Sequence, residues 1–440
     1  MRNKLSATLI CLSLALQAKA ADTLKLTLSG AIQYALEHNE QIQASQLDIT
    51  KANYRIKEIT ASGFPQLNGS ADFRDNVKLP VFVFPDPMTG EQKPIKVGTR
   101  YQVTGGLQLN QLIFDGSYFV GLKAAKEYKA LAIRTHQKNE QDLKVNVAKA
   151  YFLALISKEN LTLLDENLKT LSQTLTETEA MYKEGFVESL EVERLKLTVS
   201  NLQVQKIKLQ NAAEITLNLL KTYLGLELDM PLVLEENLEA LYAKYLQEGK
   251  VLGVGNVNNR LELKILETQK SLYKLDVSKH KVQYYPSIRG FANYQEQFYG
   301  SKLTFDPWLN TFLYGVTIQV PIFSSGMKIH QTRQAKITLQ QAELNYNYTA
   351  NMLKMERVKA EKEYNISLSM LEIQKANFEL AKKINETTLK KYQEGVGSNL
   401  EVVTANQDLK NAQTNYLEAI YEVLTNRLNL IIANGDNVSF

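Results

Sequence analysis

What most limits the fold of this chain is a repeat. Tyr182, Glu184, Gly185, Leu190, Glu191 and Val192 return 210 positions later as Tyr392, Glu394, Gly395, Leu400, Glu401 and Val402. The same offset superposes the apolar ladder that follows, pairing Leu195 with Ala405, Val199 with Leu409, Leu202 with Ala412 and Leu220 with Leu430. A duplicated unit folds twice into similar structure. The chain is therefore expected to hold a first copy over 21–230, a connector over 231–256 and a second copy over 257–440.

Each copy carries two segments with the period-2 alternation of a strand. Leu67, Gly69, Ala71 and Phe73 alternate with Asn68, Ser70, Asp72 and Arg74, and Val103, Gly105, Leu107 and Leu109 with Gln102, Thr104, Gln108 and Asn110. In the second copy Ile288, Gly290, Ala292 and Tyr294 stand against Ser287, Arg289, Asn293 and Gln295, with Phe291 out of pattern. Phe312, Tyr314, Val316, Ile318 and Val320 then alternate with Thr311, Leu313, Gly315, Thr317 and Gln319. Strands are expected at about 66–75, 101–112, 287–296 and 311–322, a length that lets a tilted strand cross a bilayer. Segments 117–182 and 327–392 lack proline and almost lack glycine, so each is read as one helix of about 100 Å at about 1.5 Å per residue. Leu161, Leu164, Leu168, Leu171 and Leu175 recur at spacings of three and four, as do Tyr364, Leu368, Leu371 and Phe378, which is the seam of a coiled coil. Shorter helices at about 28–62 and 257–284 lead into Pro65 and Pro286. The class is mainly α with β, a duplicated unit of two strands, a long helix and a hairpin.

Four amphipathic strands cannot close a barrel, and an open edge cannot persist in lipid, where its backbone groups would go unpaired. Several chains must share one. Two would give eight strands and an interior filled by side chains, whereas three would give twelve and an aqueous lumen. In either case the polar faces of the strands would look into the shared interior. Asp72, Arg74, Gln108 and Arg289 would line the lumen, and 76–100 and 297–309 would form external loops. Phe298, Tyr299, Phe305, Trp308 and Phe312 would make an interfacial aromatic girdle.

Composition removes other classes. With four His and one Cys among 440 residues, disulfide scaffolds and thiolate or His-rich metal sites have little support, and no cofactor is expected. A net charge of +4 from 51 basic and 47 acidic residues, well interspersed, leaves no nucleic-acid footprint. Arg2 and Lys4 precede an apolar stretch from Leu5 to Leu16, and Ala18 and Ala20 supply a small-x-small cleavage pattern. Residues 1–20 thus read as a signal peptide. Cys11 lies inside the apolar stretch behind Ile10, which argues against lipidation. The mature chain would have no cysteine, which suits a bacterial envelope protein.

At this point the chain resembles the TolC-like outer-membrane efflux proteins. The resemblance rests on Leu26-Thr27-Leu28, Asn259-Arg260 with Glu262-Leu263, Pro before each first strand, Ile113-Phe114-Asp115-Gly116, Pro321-Ile322-Phe323 and both Tyr-x-x-Gly turns. It implies a homotrimer whose twelve-stranded β-barrel continues into an α-helical coiled-coil tunnel, the passive outer-membrane exit duct of a tripartite efflux or type I secretion system. Its partners would be a periplasmic adaptor, an inner-membrane pump and outer-membrane lipid, with a long extension into the periplasm of a Gram-negative bacterium. The resemblance further implies that adaptors grip the turns at Gly185, Phe186, Gly395 and Val396. Glu401 would form an acidic ring at the constriction, and Tyr392 and Glu191 would latch the closed state. Thr404 stands where the best-known member has a second acid and Gly397 where it has a basic residue, so one acidic ring and a weaker latch are expected.

Other classes fit less. There is no P-loop, dinucleotide glycine pattern, Gly-x-Ser-x-Gly or paired metal ligands, and His38, His136, His280 and His330 are scattered, so no enzyme is expected. A periplasmic coiled-coil adaptor would show one hairpin rather than two and no lipid-length strands. A fibrous envelope protein would explain the heptads but not the duplicated strand pairs. Phe440 ends the chain behind a helical stretch and is given no barrel role.

Overall fold

A computed structural model describes residues 24–85, 87–88, 90–249, 255–304 and 306–436. The expected signal peptide, Phe305 and Phe440 lie outside these. In chain order the first copy holds β1 (Leu24–Leu26), α1 (Leu28–His38), α2 (Glu40–Ala61), β2 (Gln66–Asp75), β3 (Val81–Pro85), β4 (Gln92–Lys96), β5 (Tyr101–Phe114), α3 (Gly116–Lys183) and α4 (Ser189–Leu224). After β6 (Leu232–Leu234), α5 (Leu238–Gly249) and a 3-10 turn come α6 (Leu261–Val282), β7 (Ser287–Gly300), β8 (Trp308–Gln319), α7 (Met327–Gln393) and α8 (Asn399–Ala433). Among the described residues no helix is long and apolar enough to cross a membrane.

The chain divides into two compact units, each built from both copies. One comprises Ala44–Asn139 and Asn256–Met355 and contains a four-stranded antiparallel sheet in the order β2-β5-β7-β8. Residues directly opposite one another on neighbouring strands share a face, so the register shows whether the four amphipathic patterns agree. They do. Leu67, Leu109, Ala292 and Tyr314 form one row, Gly69, Leu107, Tyr294 and Phe312 the next, and Phe73, Val103, Phe298 and Trp308 the row at the far end; the row between the last two, Ala71, Gly105, Glu296 and Asn310, interrupts this face, and Leu309 and Leu313 lie on the other. On the opposite face Asn68, Gln108 and Asn293 align, as do Asp72, Thr104 and Gln297. Asp72, Arg74, Gln108 and Arg289 all lie on this polar face. Phe291, out of pattern in the sequence, lies on it too. An added Cβ at the opposite Gly315 would stand 3.0 Å from its ring, so that glycine leaves the ring its room.

The strand limits differ from the sequence reading where chemistry intervenes. β8 stops at Gln319 because Pro321 offers no N–H and restricts the residue before it. It starts at Trp308 by pairing with Phe298, so part of the expected loop 297–309 is sheet. Tyr299 faces the polar side and donates to Gln297 Oε1 at 2.6 Å, apart from the apolar-face aromatics Phe298, Trp308 and Phe312. Segment 76–100 carries its own hairpin, β3 paired with β4.

The other unit comprises the chain up to Gln43, Glu140–Gly255 and Glu356 onward. Its main core gathers α1, β1, β6, α5, α8 and parts of α3, α4 and α7 around Tyr151, Phe152, Leu220, Leu224, Leu424 and Leu428. Thr27 caps α1 by accepting from Gly30 N–H at 3.2 Å, β1 pairs in parallel with β6, and the Tyr151 hydroxyl donates to the Leu26 carbonyl at 3.1 Å. A second cluster joins Leu164 and Leu171 of α3, Leu195, Val199 and Leu202 of α4, and Tyr392 and Val402. The leucine seam of the sequence lies here, and it ends at the two hairpin turns.

Candidate functional site

The turns joining α3 to α4 and α7 to α8 follow one design. Gly185 (φ 82°) and Gly395 (φ 77°) lie in the left-handed region. Gly185 N–H donates to the Tyr182 carbonyl at 3.0 Å and Phe186 N–H to Met181 at 2.9 Å; Gly395 and Val396 repeat this toward Tyr392 and Lys391 at 3.0 Å each. These are the paired bonds of a Schellman cap. A Cβ at either glycine would meet nothing within 4 Å, so the backbone angle and not crowding demands glycine. Gly397 is different: an added Cβ would lie 3.0 Å from the Tyr392 nitrogen and 3.2 Å from Lys391. Phe186 (80% exposed) and Val396 (76% exposed) hold apolar side chains in water at the tips.

Behind the turns the two hairpins of the chain are tied by side chains. Tyr392, 6% exposed, brings its hydroxyl 3.0 Å from Thr178 Oγ1 and 3.4 Å from Glu191 Oε2. Thr178 already donates to the Thr174 carbonyl at 2.8 Å, so the phenol supplies the proton to either neighbour. Burial pushes the Tyr392 pKa up, the Thr178 hydrogen bond pulls it down and the Glu191 charge raises it again, with a net rise that keeps it a neutral donor. Asn399, 2% exposed, donates from Nδ2 to the Glu191 carbonyl at 2.5 Å, and Gln393 Nε2 reaches Glu177 Oε2 at 3.2 Å. Further along, Asn167 and Asn406 exchange two hydrogen bonds of 2.9 Å within the apolar seam. Such buried amide pairs fix register in coiled coils.

Glu401 and Thr404 are not part of this tie. Ser398 caps α8 by accepting from Glu401 N–H at 3.3 Å, and the Glu401 side chain is exposed. Thr404, also exposed, donates to the Leu400 carbonyl at 2.8 Å. The two begin an exposed stripe on α8 that continues through Asp408, Asn411, Asn415, Glu418 and Glu422, spaced alternately by three and four, with acids and no base. Sequence reasoning named Tyr392, Glu191 and Glu401, of which the structure brings the first two together, and did not name Thr178, Asn399 or Asp408. The last was readable as heptad spacing from Glu401; the first two look like any polar residue on a solvated helix until a partner about 200 positions away is in place.

Comparisons with known proteins agree with this geometry. A family model described as outer membrane efflux protein matches residues 31–226 and 258–436. The alkaline protease secretion protein AprF of Pseudomonas aeruginosa is 20% identical over 323 residues, 72% of this chain and 66% of that protein. The cation efflux system protein CusC of Escherichia coli O157:H7 is 23% identical over 413 residues, 92% of this chain and 85% of that one. Among solved structures, the CmeC outer membrane channel of Campylobacter jejuni superposes with a TM-score of 0.73 at 18% identity, over 93% of this chain and 85% of that one. With both copies inside the family match and the residues between them outside it, the chain belongs to the outer membrane efflux protein family, a protein of the outer membrane and neither an adaptor nor a fibre.

Proposed function

We propose that three copies of this chain form a passive exit duct, a twelve-stranded barrel in the outer membrane continued by a helical tunnel. A periplasmic adaptor and an inner-membrane pump dock on it in an efflux or type I secretion system. The observation that carries the reading is the sheet: a mainly apolar face, interrupted at Glu296 and Asn310, runs in register across four strands. Among the described residues β2 and β8 each pair with a single strand, which leaves two edges. Because all neighbours are antiparallel, β8 of one copy can pair with β2 of the next without breaking the alternation, and three sheets then close with a wet interior.

The tunnel helices support the same stoichiometry. α4 carries exposed Leu190, Leu197 and Val204, and α7 exposed Ile366, Ile373 and Leu380, each set at seven-residue spacing. Such apolar stripes are seams waiting for another helix, and a neighbouring copy offers each the other. Nothing in the chain resembles a nucleotide site, so the energy would come from the pump.

At the closed end, Tyr392 with Thr178 and Glu191 would latch one hairpin to the other. Gly185, Phe186, Gly395 and Val396 would be the adaptor's contacts. Threefold symmetry would gather three Glu401 carboxylates. At about 8 Å apart each pair repels by roughly 0.5 to 2 kcal/mol at effective dielectrics of about 80 to 20, which favours passing cations. Asp408, Glu418 and Glu422 would extend that field along α8. The relatives named above serve protease secretion in one case and cation efflux in another, so the cargo is assigned to the pump rather than to the duct.

Single-channel recording in planar bilayers tests this. The purified protein should conduct and prefer cations, and Glu401→Gln should move the reversal potential toward zero in a salt gradient. A silent protein, or one whose reversal potential ignores the substitution, contradicts the duct or its constriction respectively.

A further inference from the structure

Charge is unevenly distributed beside the sheet. The four helical stretches that join it, residues 46–61, 116–135, 263–282 and 327–346, hold fifteen Lys and Arg against six Asp and Glu, although the chain totals are 51 and 47. Helix dipoles account for part of this, because Lys279 and Lys281 lie in the last turn of α6 where cations are favoured. They do not account for Lys328 in the first turn of α7 or Lys123 early in α3, which lie toward positive helix ends.

The charges converge where α3 and α6 lie side by side. A recess of about 340 Å³ there is lined by Lys123, Lys126 and Glu127 of α3 and by Ser271, Lys274 and Leu275 of α6. Lys281, seven residues beyond Lys274, shares its face two turns closer to the sheet. Among the described residues, none of these four lysines has an ion-pair partner. The recess is therefore a cluster of cations with one carboxylate, built to take an anion.

Its depth suggests which anion. At about 1.5 Å per residue, Lys281 lies about 2 Å, Lys123 about 11 Å, Lys274 about 12 Å and Lys126 about 15 Å from the strand-bearing ends of their helices. The headgroup zone of a bilayer is about 5 to 8 Å deep on each side, so Lys281 lies within it, and Lys123, whose stem leans toward the α3 N-terminus and hence toward the sheet, can extend its ammonium up to it. Exposed Phe64, Phe119, Tyr284, Tyr285 and Phe323 occupy the same junction, and aromatics of this kind mark the boundary of the apolar layer. Lys281 thus follows the aromatic belt directly, where lipid phosphates would lie, with Lys123 reaching up from the recess and Lys274 below.

We propose that the mouth of the α3–α6 recess binds the phosphate headgroup of an anionic phospholipid in the periplasm-facing leaflet, with Lys123 and Lys281 as its principal contacts and Lys274 below them. The proposal rests on the reading that the sheet lies in lipid. Basic clusters beside a membrane-embedded segment recognise anionic lipid through this charge complementarity.

The test uses the full chain reconstituted into vesicles of equal parts phosphatidylglycerol and phosphatidylcholine, then extracted gently and weighed by native mass spectrometry. Phosphatidylglycerol should remain bound about tenfold more often than phosphatidylcholine, and the double variant Lys123→Gln with Lys281→Gln should reduce its retention about fivefold. Adding inorganic phosphate should not displace it. Equal retention of the two lipids, or retention indifferent to the double variant, overturns the proposal. Displacement by inorganic phosphate does so as well and assigns the recess to a free anion. If the lipids fail to discriminate while the same sample still inserts and conducts, only the headgroup site falls. If the protein does not enter the vesicles, the sheet reading falls and takes this proposal with it.

Discussion

At the scale of the residue, Tyr392 joins most of the threads. Its ring belongs to the apolar seam and its hydroxyl touches both Thr178 and Glu191 across the two hairpins. Removing that hydroxyl leaves Thr178 satisfied by Thr174 and leaves Glu191 partly open to water. The expected cost of Tyr392→Phe is therefore the ordinary one of a single hydrogen bond, about 0.5 to 1.5 kcal/mol. If this contact holds the closed state, the conducting fraction of channels should rise by up to about tenfold, since about 1.4 kcal/mol is a factor of ten. Open probability in bilayers measures it, and a variant as closed as the parent would show that the contact is structural only. Glycines at turns, a tyrosine ahead of each and an acid behind each were legible because duplication marks them twice. Thr178 and Asn399 were not, since helix geometry and a partner far along the chain create their roles.

Elements were legible where one period dominates. The four long strands announce themselves by alternation, and the register adds what alternation alone cannot: the four apolar faces coincide. The short pairs β1 with β6 and β3 with β4 were not legible, because three to five residues are too few for a period to show. For the helices, the sequence showed the buried leucine seam, whereas the exposed stripes emerge only once that seam is seen to be filled. Leu197 of α4 stands twelve residues after Gly185, and Ile384 of α7, exposed about one turn beyond Leu380 of the stripe, eleven before Gly395. Both are thus about 17 to 18 Å from their turns at about 1.5 Å per residue. If the stripes of neighbouring copies pack together, Leu197→Cys combined with Ile384→Cys should crosslink under mild oxidation into linked pairs and trimers. Cβ atoms at such a seam can come within disulfide reach, and the one native Cys, Cys11, lies in the expected signal peptide. Non-reducing electrophoresis reads the result. Crosslinking no greater than in either single variant would reject this pairing.

For the whole molecule, the argument is one of unfinished surfaces. A sheet that is apolar on one face, polar on the other and open at two edges is stable in neither water nor lipid alone. In the proposed assembly other copies of the chain would supply both the missing edges and the wet interior that the polar face requires. Duplication gives four strands from two pairs, and the number of chains follows from the width of pore those strands must enclose. The central claim is therefore stoichiometric, and sedimentation of the detergent-solubilised protein, with the bound detergent subtracted, tests it most directly. The account predicts a particle of three chains that requires amphiphile to stay in solution; a monomer that remains soluble without amphiphile would contradict it.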